Sequence, residues 1–153
     1  MDVYERLKTL GITLPPCTKS NGRFKKTKKF GTNLLYVSGC SPETPTRSIY
    51  GKLGSDVTLE DGKLAAADTV LNILSAIEYE LKDLNRIVSF VKLLVFVSSS
   101  PDFYDQPSVA NGATELLIDI FGEDIGCPSR SAIGVAVLPD NIAVETECII
   151  EYK

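Results

Sequence analysis

The sequence predicts an α+β domain of order ββαβαββ: a mixed sheet with two helices packed on one face. Three observations carry this. Stretches 60–81 and 106–121 repeat apolar residues at steps of three and four, the spacing of one helical stripe. Stretch 87–97 is apolar almost throughout, as a strand buried inside a sheet is. Shorter β-prone runs lie on either side, bounded by Gly, Pro, Asn and Asp. At 153 residues the chain reads as one domain over 1–153. It can bury roughly two-thirds of its unfolded surface, so it needs no staples.

Taken in order, Val3, Leu7 and Leu10 suggest a short helix over 3–12, ended by Pro15-Pro16. Residues 22–30 and 33–39 read as two strands joined near Gly31-Thr32. A loop of turn residues starts at Ser38-Gly39-Cys40-Ser41-Pro42 and runs to about Asp56. Thr58 or Asp61 caps the helix over 60–81, where Ala66, Val70, Ile73, Leu74, Ile77 and Leu81 form the stripe. A strand follows over 87–97, and then a helix over 106–121 carrying Val109, Ala113, Leu116, Leu117 and Ile120, with Gly122 as its C-cap. The last strands are expected at 129–138 and 142–152, with Pro139-Asp140-Asn141 as a tight turn between them.

Two helices can cover only one face of such a sheet, so the other must be solvated or buried in a partner. The last two strands read as a hairpin, and alternation puts Ser131, Ile133, Val135 and Val137 on the core face with Val144, Thr146, Cys148 and Ile150. Arg130, Ala132, Gly134 and Ala136 then share the opposite face with Glu145, Glu147 and Glu151. The small residues there leave room for a subunit or a ligand. A turn at 139–141 would set Arg130 opposite 149–151, with Glu145 several residues along the strand.

The chain contains no histidine. That excludes Ser-His-Asp and Cys-His nucleophile systems, His-ligated metals and RNA cleavage by a His pair. Cys17, Cys40, Cys127 and Cys148 show no CxxC spacing, and no metal or cofactor is expected. The polar N-terminus and the absence of a long apolar run predict no membrane span and a cytoplasmic location with reduced thiols. Formal charge is −4, unevenly spread: residues 19–29 hold six basic groups and no acid. The rest of the chain holds ten basic and twenty acidic residues. The basic run reads either as a blunted edge strand or as a patch for nucleic acid. Since only Phe24 and Phe30 flank it, the edge-strand reading is favoured over RNA.

Several stretches together resemble one family. They are Leu35-Tyr-Val-Ser-Gly39, Gly51-Lys-Leu-Gly54 before Ala65-Ala66, Val91-Lys-Leu followed by Val97, Pro101-Asp-Phe103, Val109-Ala-Asn-Gly112, Arg130-Ser-Ala132, Leu138-Pro139 and Val144-Glu-Thr-Glu147. Their order and spacing resemble the RidA/YjgF reactive-intermediate deaminases, also called the endoribonuclease L-PSP family. The GKLG loop and the residues after Phe103 mark a divergent subgroup.

The resemblance implies a chorismate-mutase-like fold and a homotrimer whose sheets form an inner barrel with ligand sites between subunits. It also implies hydrolysis of 2-aminoacrylate and other 2-imino acids to 2-keto acids and ammonia. By position, Arg130 grips the substrate carboxylate, helped by the Ala132 N–H, and Glu145 positions or polarises the attacking water. Ser38 and Gly39 wall the cleft, Asn111 lies near it, and Phe24 stands where the family usually carries a tyrosine. Cys40 and Gly134 also replace polar groups usual in the family. The alternatives are a non-catalytic trimer that binds small carboxylates, and, less favoured, a ribonuclease.

Overall fold

The structure is a computed structural model. It describes residues 2–17 and 22–153, so residues 19–21 of the basic run lie outside the described residues. Helix α1, Val3–Thr9, starts where the Asp2 side chain accepts from the N–H groups of Tyr4 and Glu5, and it buries Val3 and Leu7. It stops short of residue 12 because Gly11 turns into the left-handed region at φ 68°. Strands β1, Thr27–Phe30, and β2, Leu34–Cys40, pair antiparallel around Gly31.

Helix α2, Leu59–Leu81, is capped by Thr58, whose hydroxyl accepts from the Asp61 N–H at 3.1 Å. Strand β3 is Ile87–Ser98 and helix α3 is Gln106–Phe121, with Gly122 as C-cap. A single turn, α4 at Glu123–Gly126, precedes β4, Ser129–Val135, and β5, Val144–Tyr152, closes the fold.

The sheet order is β1-β2-β5-β3-β4. Helices α2 and α3 cover one face. The core between them and the sheet includes Leu35, Val37, Val70, Ile73, Leu74, Ile77, Leu93, Val95, Val97, Leu117 and Ile150. Buried polar groups are satisfied in pairs: the Thr69 hydroxyl lies 2.8 Å from that of Thr146 and donates to the Ala66 carbonyl at 2.6 Å.

The expected terminal hairpin does not form. Strand β4 pairs parallel with β3, while β5 lies between β2 and β3, antiparallel to both. A parallel neighbour needs a crossover of helical length, and α3 supplies it between β3 and β4. Residues 139–141 do turn, with Asp140 and Asn141 at φ 54° and 59°. The chain then continues to Ala143, whose N–H bonds to the Ile49 carbonyl and whose carbonyl accepts from the Ser98 N–H. It thus enters the sheet beside β3 and leaves β4 at the edge.

This topology also inverts the assigned faces of β4. In its register with β3, Arg130, Ala132 and Gly134 pair with Leu93, Val95 and Val97, all buried beneath the helices. Arg130, Ala132 and Gly134 therefore face the helical layer. Ile133 and, past the strand end, Val137 are 45% and 74% exposed rather than in the core. For β5 the expected alternation holds: Val144, Thr146, Cys148 and Ile150 are buried, and Glu145, Glu147 and Glu151 stand on the open face.

Two contacts fix the helical layer and its loops. The Arg47 guanidinium grips Asp68 of α2 through two bonds, Nε–Oδ2 at 2.6 Å and Nη2–Oδ1 at 2.7 Å, and so anchors the loop after β2. Gly112 of α3 lies against the backbone of α2 at Lys63, where an added Cβ would overlap the Lys63 carbonyl. Since backbone cannot swing aside as a side-chain tip can, Gly112→Ala is expected to destabilise the fold by about 1–3 kcal/mol in urea denaturation.

Candidate functional site

On the open face the site starts from a bulge. Val37 and Cys40 both point into the core, and their partners on β5 are Cys148 and Thr146, so Ser38 and Gly39 together oppose Glu147. A bulge of this kind re-aims side chains. Here it turns Ser38 and Gly39 toward the open face. The Ser38 hydroxyl donates to the Lys25 carbonyl at 2.7 Å, and the Ser38 N–H donates to the Lys26 carbonyl at 2.9 Å. These bonds tie the segment before β1 to the bulge. The Lys26 ammonium returns to the same place and donates to the Gly39 carbonyl at 3.2 Å.

Glu145 lies over Gly39, with its carboxylate where a side chain at 39 would be. Burial raises the pKa of Glu145 above the usual carboxylate value, Lys26 opposes that rise and Glu147 adds to it. Gly39→Ala is expected to displace the Glu145 carboxylate while leaving the melting temperature near that of wild type. The overlapping atoms are the end of a flexible side chain, which can rotate away. Along the same face the Tyr36 hydroxyl donates to Glu147 at 2.7 Å, and this bond, with burial, pushes the phenol's pKa upward.

The second cluster lies on the helical side of β4. Arg130 Nη1 donates to Asn111 Oδ1 at 2.9 Å and to Thr114 Oγ1 at 3.1 Å, both on α3. Among the described residues Arg130 makes no ion pair. The bonds recorded for its guanidinium are those of Nη1, and a guanidinium meets a carboxylate best through two parallel N–H groups such as its Nε and Nη2. Further along the strand, Gly134 leaves room for the Gln106 amide, which donates to the Phe103 carbonyl at 2.7 Å and to Ser99 Oγ at 3.3 Å.

The structure therefore brings Arg130 together with Asn111, and Glu145 together with Ser38 and Gly39. Within one chain it does not join the two clusters. Arg130 and Glu145 lie on opposite faces with β3 between their strands, which corrects the shared face expected from alternation. They are two strand widths apart, roughly 10 Å, and offset by three residues of β3, roughly another 10 Å. Ala132 is half-buried under α3, and Phe24 is exposed before β1 beside Tyr79. The sequence reading missed Lys26 as a neighbour of Glu145, because one lysine in a basic run carries no signal of its own. Among the described residues, no group of three or more His, Cys, Asp or Glu side chains is arranged to hold a metal ion.

The profile of the endoribonuclease L-PSP family matches residues 18–152. The chain belongs to that family. Protein TCP17 of Trypanosoma cruzi is 39% identical over 152 residues, covering 99% of this chain and 94% of TCP17. The crystal structure of Agrobacterium tumefaciens Atu1372 superposes with a TM-score of 0.90 at 37% identity, covering 99% of this chain and 92% of that one. The YjgF product of Escherichia coli shares the fold at a TM-score of 0.61 and 22% identity, covering 92% of this chain and 98% of that one. No helix among the described residues is long and apolar enough to cross a membrane.

Proposed function

We propose that the protein is a cytosolic enamine/imine deaminase, acting as a homotrimer with its sites between subunits. The observation that carries this reading is Arg130: a half-buried arginine fixed by two neutral acceptors, with no carboxylate partner among the described residues. In this reading Arg130, with the Ala132 N–H, takes the carboxylate of a 2-imino acid. Glu145, from an adjacent copy, faces the imine carbon over Gly39. The uncovered sheet face and the separation of the two clusters within one chain both support an interface site. Protonation of the enamine carbon gives the iminium, and water adds to its C=N carbon while Glu145 accepts a water proton. Glu145 passes that proton to the nitrogen of the carbinolamine, the C–N bond breaks to release ammonia, and the hydroxyl proton leaves to solvent, which supplied the one taken up by the enamine carbon, leaving the 2-keto acid. Orientation and electrostatics suffice for this step, because an iminium carbon is already electrophilic.

A second reading, a trimer that binds small carboxylates without turnover, is favoured by Phe24, which lacks a hydroxyl, and by Gly134, which has no side chain. The two separate in one experiment. Purified protein is added to a serine or threonine dehydratase reaction, and keto-acid release is followed. Release faster than the spontaneous rate supports the deaminase. Release at the buffer rate from an assembled oligomer that still binds 2-ketobutyrate supports the binder. Ribonuclease activity is disfavoured by the absence of histidine and the net charge of −4.

A further inference from the structure

Within the described part of the basic run, Lys26 brings its ammonium onto the bulge backbone, at the Gly39 carbonyl. Lys29 is taken by Glu80 at 3.1 Å, and Lys25 and Lys28 line a shallow cleft with Phe30 and Tyr36. Lys26 is held twice, by the Ser38 N–H on its backbone carbonyl and by its own bond to the Gly39 carbonyl. Its ammonium is therefore fixed on the backbone of the residue that Glu145 lies over, without a direct ion pair to that carboxylate. The other groups near that carboxylate are Glu147 on β5, the uncharged Phe96 from β3 and, on the core side of the bulge, the Cys40 thiol.

We propose that Lys26 is a positioning residue for Glu145, its cation at Gly39 keeping the nearby carboxylate charged so that it can accept a proton from the attacking water. This rests on the deaminase reading above. Burial and Glu147 both favour the protonated carboxyl, which cannot act as a base, and the Lys26 cation opposes them. The same ammonium works against burial on the Cys40 thiol at the end of the bulge.

The test compares wild type with Lys26→Met and Lys26→Arg in two measurements on the full-length protein. In the first, the Glu145 carboxyl is titrated by NMR on ¹³C-glutamate-labelled protein, with its resonance assigned by its loss in Glu145→Gln. In the second, the pH profile of imine hydrolysis is recorded. Lys26→Met is expected to move the Glu145 midpoint to higher pH. It should also cut the rate on the acidic limb roughly tenfold and keep the alkaline plateau. Lys26→Arg is expected to restore both. An unchanged midpoint in Lys26→Met overturns the proposal, as does a loss of rate equal at every pH. A wild type without turnover overturns the deaminase reading and the proton-accepting role with it, while the NMR measurement still decides whether Lys26 and Glu145 are coupled.

Discussion

Replacing Arg130 with alanine is expected to weaken binding of 2-ketobutyrate about a hundredfold, and the melting temperature should fall by only a few degrees. The arginine's bonds within the chain are few and neutral. Nη1 bonds to Asn111 and Thr114, neutral partners on the flank of α3, and losing them costs about 1 kcal/mol. In the proposed function the remaining edge takes the ligand carboxylate, where a bidentate charge-assisted contact in a half-buried site contributes about 3 kcal/mol, equivalent to that hundredfold. A lysine in its place would keep the charge and lose the fork, so Arg130→Lys should recover only part of the affinity. Isothermal titration of the assembled protein measures all three. Equal affinity in wild type and Arg130→Ala would place the carboxylate site elsewhere.

The largest effect on stability is expected from Arg47→Ala, about 3 kcal/mol in urea denaturation. Asp68 is 1% exposed on α2, and its carboxylate takes both bonds of the Arg47 fork. Removing the arginine leaves a buried charge without its counter-ion, which costs more than the pair contributes. The partly exposed guanidinium end sets this at the low end of the usual range. Joint replacement, Arg47→Met with Asp68→Leu, should recover most of the loss, because neither partner is then left charged. A single variant no less stable than wild type would show that the loop after β2 does not depend on this clasp.

Much of this fold was legible in the sequence. The two long helices, their caps and the strand over 87–97 follow from periodicity and turn chemistry, and the structure reproduces them nearly residue for residue. The alternation in β5 also reads correctly, since a central strand covered on one side must separate Val144, Thr146, Cys148 and Ile150 from its glutamates. The same logic fails for β4. An edge strand is exposed on both faces, so Ile133 can sit on the open side while its helix-facing positions are filled by a bonded arginine and by Gly134 beneath the Gln106 amide. Pairing fails for a related reason. Pro139-Asp140-Asn141 announces a change of direction, but a turn motif does not name the strand that follows as its partner. The face of Arg130 depends on that partner, which is why alternation groups Arg130 with Glu145 while the fold sets them apart.

The position of β5 carries a consequence for how the chain folds. The strand at the middle of the sheet is the last of the five in chain order, and β2 and β3 meet only through it. Until residues 144–152 arrive, the hairpin of β1 and β2 and the unit of β3, α3 and β4 have no sheet contact to hold them in register. Most of the ladder is long-range, and closing such loops before their contacts form makes folding slow. A nascent chain lacking those nine residues would expose two unpaired strand edges, each a template for another copy. The gap that β5 fills is thus open to intermolecular pairing during synthesis, and truncation within 144–152 should direct the protein toward aggregation rather than toward a smaller folded domain.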